Sequence, residues 1–335
     1  MYEKYYGFKE RPFQLTPNPN WFFASKLHKR ALAYLQYGLS QGEGFIVITG
    51  DVGTGKTTIA NQLLSQLNQD EIIAKQIVTS RLSPDDLIRM IASAFNLVVS
   101  EHSKASYLDA IGSFLKRLHS QHRRALLLVD EAQNLPLEAI EELRMLSNFM
   151  ADGKPLLQSF LLGQNELNAV IQAPDMEQFR QRIIASSNLT PLQVEDTRAY
   201  VEYRIRQAGV SEPLLAEDSF ALIQGFSRGI PRKINTLMDR VFLYGYLEEK
   251  AFLEAADVQA VIDEIMDEVA NLKPVHAENP TRLNDNPSNS ASANLLNEIS
   301  QLLDNSLETK LKLAKELDQL IQKQQNTLKK NPPEQ

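Results

Sequence analysis

Cysteine is absent from the sequence, which excludes a disulfide framework, a zinc–thiolate site and a thiol nucleophile. The same absence fits a reducing compartment, and a cytoplasmic protein is the expectation. Long apolar runs are missing too, since none approaches the roughly eighteen residues that a membrane-spanning helix needs. Met1-Tyr2-Glu3-Lys4-Tyr5-Tyr6 lacks the apolar core of a signal peptide. A soluble chain is expected. Histidine is scarce, with five in all, and His119 and His122 have no third partner at metal-ligating spacing. Positive charge is in deficit. A net charge of −7 argues against a protein that coats nucleic acid, and leaves only a local basic patch open.

What is present suffices for two domains and a tail: 335 residues, 43% of them hydrophobic. The first stretch is rich in proline and rings (Pro12, Phe13, Trp21, Phe22, Phe23) and reads as an extended arm that packs through its side chains. Leu27 to Leu39 has helical spacing. The run Phe45-Ile46-Val47-Ile48-Thr49 reads as a buried parallel strand. Helices are expected at 56–67, 84–94 (started by Ser83), 107–118 and 137–149, and strands at 72–78, 125–129 and 156–162. This alternation implies a parallel sheet covered by helices on both faces, ending near Pro191. From Val194 to about Leu272 the spacing is helical throughout. Residues 273–292 read as a flexible linker, and 293–335 as a polar, weakly heptad C-terminal helix.

The chemistry is concentrated at strand ends. Gly50-Asp51-Val52-Gly53-Thr54-Gly55-Lys56-Thr57 matches the phosphate-binding loop pattern, with Thr58 following. Its glycines let successive N–H groups face one concavity, and the next helix adds the positive end of its dipole. Lys56 is expected to reach the β and γ phosphates of ATP, and the Thr57 hydroxyl to ligate Mg²⁺. Ala125 to Val129 ends in Asp130 and Glu131. Carboxylates at the end of an apolar strand are costly unless used, so Asp130 is assigned to Mg²⁺ through water and Glu131 to the attacking water. Gln164, at the end of the strand expected over 156–162, is a candidate for the γ-phosphate or that water; the plain alternative is a loop amide facing solvent. No N-K-x-D motif occurs, so adenine is preferred to guanine.

With these motifs in hand, the chain resembles the AAA+ ATPases of the general secretion pathway protein A type over about residues 1 to 270. The resemblance is carried by Tyr6-Gly7-Phe8, Pro12-Phe13, Thr16-Pro17-Asn18-Pro19, the 50–57 loop, Asp130-Glu131-Ala132-Gln133-Asn134-Leu135 and Gly163-Gln164. The stretches Leu32 to Ser40 and Gln41 to Phe45 look most like the subfamily found beside exosortase and exopolysaccharide genes. This likeness implies an α/β fold, a P-loop NTPase of AAA+ type over 1–192, followed by a small all-helical lid over 193–272. It implies ATP hydrolysis coupled to a secretion or exopolysaccharide export system, inner-membrane export partners and a homo-oligomeric ring or filament. An arginine of Phe179-Arg180-Gln181-Arg182-Ile183 is implied as a finger reaching a neighbouring subunit's ATP. Arg182 is the first choice and Arg180 the alternative. Arg232, after Gly229-Ile230-Pro231, is implied as the lid's sensor arginine.

The longer secretion ATPases carry a membrane span and a peptidoglycan-binding domain after the lid, where this sequence has a linker and a polar helix. The tail is therefore expected to dock a partner or self-associate. Two other readings stay open: a DNA-dependent transposition-helper ATPase, supported by Arg117, His119, His122, Arg123 and Arg124, and an ATP-gated switch with little hydrolysis. Glu131 weighs against the switch.

Overall fold

The computed structural model describes residues 1–16, 21–68, 70–79 and 82–271. Pro17, Asn18 and Pro19, the 273–292 linker and the 293–335 helix lie outside the described residues. Residues Met1–Gln259 form one compact unit, and a second, Ala260–Gln335, is described only as far as residue 271.

The centre of the first unit is a five-stranded sheet in the order β2-β3-β6-β1-β7, with every neighbouring pair parallel. The strands are β1 (Phe45–Gly50), β2 (Ile72–Val78), β3 (Arg124–Asp130), β6 (Leu157–Gly163) and β7 (Ile183–Leu189). A short hairpin, β4 (Met150–Ala151) and β5 (Lys154–Pro155), lies apart from it. Alternate residues of the central strands feed two cores. Phe45, Val47, Leu127, Val129 and Leu161 enter one, beneath α4 (Pro84–Ala94), α5 (Lys104–Ser120) and α6 (Leu137–Leu146). Ile46, Ile48, Leu126, Leu128, Phe160 and Leu162 enter the other, beneath α2 (Lys26–Gln41) and α3 (Lys56–Ser65). That is why these runs are apolar without alternation: both faces are buried. The expected doubly covered parallel sheet is what forms.

Several elements depart from the sequence expectation. The helix predicted over 137–149 stops at Leu146, and the chain turns through the β4–β5 hairpin on Asp152 (φ 51°) and Gly153 (φ 74°). Asp-Gly supplies the two positive φ angles that a two-residue hairpin loop requires. β7 was not expected at all. It is an edge strand that buries only Ala185 and Leu189 fully, while Ser186 and Asn188 face outward. With so little apolar content it carries no strand signal of its own.

After β7 the chain is helical: α9 (Val194–Gln207), α10 (Ser219–Ser227), α11 (Pro231–Leu247) and α12 (Ala255–Asn271). No helix among the described residues is long and apolar enough to cross a membrane. The N-terminal arm, expected to be extended, opens with the short helix α1 (Tyr2–Tyr5); its first rings pack on this helical segment, while Phe22 packs against the sheet core beneath α2 and α3. Phe13 and Tyr2 stack on Phe242 of α11 at 5.9 and 6.2 Å, and Phe8 meets it edge-on at 5.2 Å. Arg204 of α9, 8% exposed, locks the arm: Nε donates to Pro12 O at 2.6 Å, and its guanidinium lies 5.1 Å from the Trp21 ring. Arg204→Ala removes a charge-assisted bond and leaves a buried carbonyl without its donor. The expected cost is about 3 kcal/mol of unfolding free energy, read as a lower urea midpoint at unchanged slope.

Candidate active site

The strand order decides which chain segments meet. β1, β6 and β3 are parallel neighbours, so the residues after all three arrive at one sheet edge, where ligands of open α/β sheets bind. There the 50–57 loop, Gln164 and the Asp130-Glu131 pair come together.

The loop turns on Gly53 (φ 82°) and Gly55 (φ 100°), conformations that side chains rarely adopt. Asp51 and Val52 are exposed at its tip, Thr54 is buried, and Thr57 and Thr58 lie half-buried in the first turn of α3. The Thr54 hydroxyl donates to Asp51 O at 2.8 Å. Lys56, buried to 7% exposure, donates Nζ to Gly50 O at 2.9 Å and Asp51 O at 3.0 Å. Burial lowers its pKa against the pull of nearby Glu131 and Asp130; a phosphate would favour the charged form.

Thr57 Oγ1 donates to Asp130 Oδ2 at 3.0 Å. Burial raises the Asp130 pKa, opposed by that bond and by the Glu131 N–H, which donates to Oδ1 at 3.0 Å. Gln76 of β2 adds a bond to Oδ2 at 3.3 Å. A hydroxyl and a carboxylate converging at one point form an all-oxygen donor set that fits a hard cation such as magnesium. Glu131 follows with φ 58°, a left-handed backbone unusual for a residue with a side chain. Thr79 holds it there, its hydroxyl 2.8 Å from Glu131 O and 2.9 Å from Asp130 O.

Gln164 is half-buried at the end of β6, and its backbone N–H donates to Gln133 Oε1 at 3.0 Å. Arg232, at the start of α11, approaches the loop directly: its N–H donates to Gly53 O at 3.3 Å, and a Cβ added to Gly53 would stand 2.6 Å from the Arg232 Cβ. The two finger candidates lie elsewhere. Arg182 donates to Asn148 Oδ1 at 2.6 Å and Arg144 O at 3.3 Å, at the end of α6. Arg180 donates to Ala173 O at 2.7 Å and Ile171 O at 2.8 Å. The structure does not bring either arginine to the loop of its own chain.

Several site residues escaped sequence reasoning. His28 of α2 sits behind the loop, Nε2 3.2 Å from Thr54 O and Nδ1 2.7 Å from Ser25 Oγ, with its pKa lowered by burial. Asn165 ties the loop tip to the end of β6 through Asp51 Oδ1 at 2.7 Å. Gln76 and Gln133 complete the set. Gln133 lay within the Asp130 to Leu135 motif, whereas His28 and Gln76 lay in stretches read only as helix and strand.

A family model described as an AAA domain matches residues 39–171. General secretion pathway protein A of Aeromonas hydrophila is 37% identical over 266 residues, covering 79% of this chain and 48% of that protein. The chain thus spans about half the length of this curated relative. Among solved structures, the Aeropyrum pernix ORC2 protein in its ADPNP-ADP complexes matches with a TM-score of 0.60 at 15% identity, over 78% of this chain and 75% of that one. Cdc6p from Pyrobaculum aerophilum matches with a TM-score of 0.58 at 19% identity, over 78% and 73% of the two chains. At such identities the structural likeness shows the fold alone. Taken with the phosphate-loop geometry and the relative's sequence identity, it places the chain among the AAA+ P-loop proteins, as a relative of general secretion pathway protein A.

Proposed function

We propose that the chain binds ATP with Mg²⁺ at the 50–58 loop, hydrolyses it, and couples turnover to the assembly or operation of a cell-envelope secretion or exopolysaccharide export system. One observation carries the hydrolytic part: Lys56, Thr57, Asp130 and Glu131 meet at a single sheet edge, with Gln164 and Arg232 joined to it by backbone hydrogen bonds. The glycine-rich backbone and the start of α3 receive the phosphates, and Lys56 turns its ammonium from the Gly50 and Asp51 carbonyls to the phosphate oxygens. Thr57 and Asp130 would hold Mg²⁺, which when bound neutralises charge on the β and γ oxygens. Glu131 accepts a hydrogen bond from the attacking water and orients it, and Gln164, held through its backbone N–H by Gln133, is the second candidate for the γ-phosphate or that water. Arg232 reports the nucleotide to the helical segment that it begins.

The division we favour is a nucleotide-binding domain at 1–192, a lid at 193–272, a linker at 273–292 and a docking or self-associating helix at 293–335. A finger from a neighbouring subunit, Arg182 before Arg180, requires a homo-oligomer and the release of the contacts that these arginines make at the end of α6 and after α7 (Glu166–Ile171). The 37% identity to general secretion pathway protein A supports the secretion role, and the stretch 32–45 supports the exopolysaccharide-locus subfamily. The protein is placed in the cytoplasm, at the inner membrane through export partners.

The DNA-dependent reading rests on the basic cluster, whose Arg117, His122 and Arg124 are exposed and whose members have neighbours within the chain. His119 faces Asp152 at 2.9 Å, Arg117 lies 5.8 Å from the Phe114 ring, and Arg124 donates to Leu39 O at 3.3 Å. The test is steady-state ATP hydrolysis at low salt with and without double-stranded DNA. A rate indifferent to DNA is expected; a severalfold stimulation would move the chain to the transposition-helper class.

A further inference from the structure

We propose that Gln133 is a positioning residue for hydrolysis, holding the Glu131 carboxylate at the end of β3 and linking it to the end of β6. The inference deepens the reading of Glu131 as the group that orients the attacking water, and rests on it. Gln133 lies in a single turn of 3-10 helix, Ala132–Asn134, that starts immediately after Glu131. Its Nε2 donates to Glu131 Oε2 at 2.6 Å, and its Oε1 accepts the Gln164 N–H at 3.0 Å. A side-chain amide carries a donor and an acceptor on one rigid plane, so fixing one end on β6 fixes the other on the carboxylate.

The surroundings leave this torsion to Gln133. The Glu131 backbone is already held, with its N–H on Asp130 Oδ1 at 3.0 Å and its carbonyl accepting from Thr79 Oγ1 at 2.8 Å and Asn134 N at 2.9 Å. That backbone stands at φ 58°, yet the carboxylate can still turn about its own side-chain bonds. A donor on Oε2 sets the direction in which Oε1 meets the water. The end of β6 is shaped to admit the amide: a Cβ added to Gly163 would stand 3.1 Å from Gln133 Oε1 and 2.7 Å from Leu167 Cδ2. Gln133 therefore also couples the water-orienting acid to Gln164, so the two strand ends present their groups in one fixed relation.

Two variants separate this role from plain structural support. Gln133→Ala removes both bonds. Gln133→Glu keeps the length and an acceptor for the Gln164 N–H, but replaces the donor to Glu131 by a second negative charge. Both are assayed for kcat and KM and, by equilibrium titration with a fluorescent ATP analogue, for nucleotide affinity. We expect Gln133→Ala to lower kcat about tenfold and Gln133→Glu to lower it at least as much, with affinity within about twofold of wild type in both, because a misdirected group costs rate rather than binding. Near-normal kcat in Gln133→Glu beside a low kcat in Gln133→Ala would overturn the proposal and leave only the bond to Gln164. So would kcat values within twofold of wild type in both, or a loss confined to KM. A wild-type chain that binds the analogue but turns over no ATP would instead overturn the parent reading, and this one with it.

Discussion

Glu131→Gln is expected to lower the rate of ATP hydrolysis by about a thousandfold while leaving nucleotide affinity within about twofold. A positioned acid–base group contributes roughly 10²–10⁴ in rate, and the amide keeps the size of the side chain while losing its charge and basicity. The substitution is well tolerated locally. Thr79 and Asn134 hold the backbone through the Glu131 carbonyl, and an amide oxygen can still accept from Gln133. Binding survives because the loop, Lys56 and Thr57 are untouched. The prediction is checked by comparing kcat with the equilibrium affinity for the same nucleotide. A parallel fall in both would mean that Glu131 supports the site rather than the chemistry.

Lys56→Ala is expected to have its effect one step earlier, lowering ATP affinity by about a hundredfold. Charge-assisted hydrogen bonds reach roughly 3 kcal/mol, and each 1.4 kcal/mol is about a factor of ten in affinity. Lys56 is buried, and its pKa is already pressed downward, so its charged form gains strongly when a phosphate arrives. The same substitution leaves the buried Gly50 carbonyl and the Asp51 carbonyl without a donor, a loss of about 1–3 kcal/mol that is offset in part by no longer burying an ammonium. The fold is expected to persist, with a urea midpoint modestly below that of wild type. Titration with a fluorescent ATP analogue, beside urea unfolding, separates lost affinity from lost structure.

How much of this was legible in the sequence follows from the range of each interaction. The phosphate loop, the Asp130-Glu131 strand end and the buried strands are contiguous patterns, and their residues announce both geometry and chemistry. β7 was hidden because Ser186, Ser187 and Asn188 dilute its apolar positions at an edge that needs few of them. The ring-rich arm was readable as something that packs, yet its seat on Phe242 joins the two ends of the first unit, and no local spacing encodes that. Gln76 reaches Asp130 only because β2 lies beside β3 with Val78 opposite Asp130, a fact that appears once strand order is known. His28 and Asn165 belong to the same class. Gln133 stood inside a contiguous motif, but its bond to Gln164 crosses from the end of β3 to the end of β6, 31 residues on. Arg182 and Arg180 show the converse: a resemblance assigns them a role toward another subunit, while within the chain they cap helix ends and turns.

The most direct test of the account is a single-turnover experiment, with the intact chain in excess over labelled ATP and Mg²⁺ and Glu131→Gln run alongside. The account predicts that both proteins bind the nucleotide, that wild type converts it to ADP in one exponential phase, and that Glu131→Gln holds it as ATP on that timescale. Equal conversion by the two proteins, or bound ATP that wild type leaves intact, would contradict it.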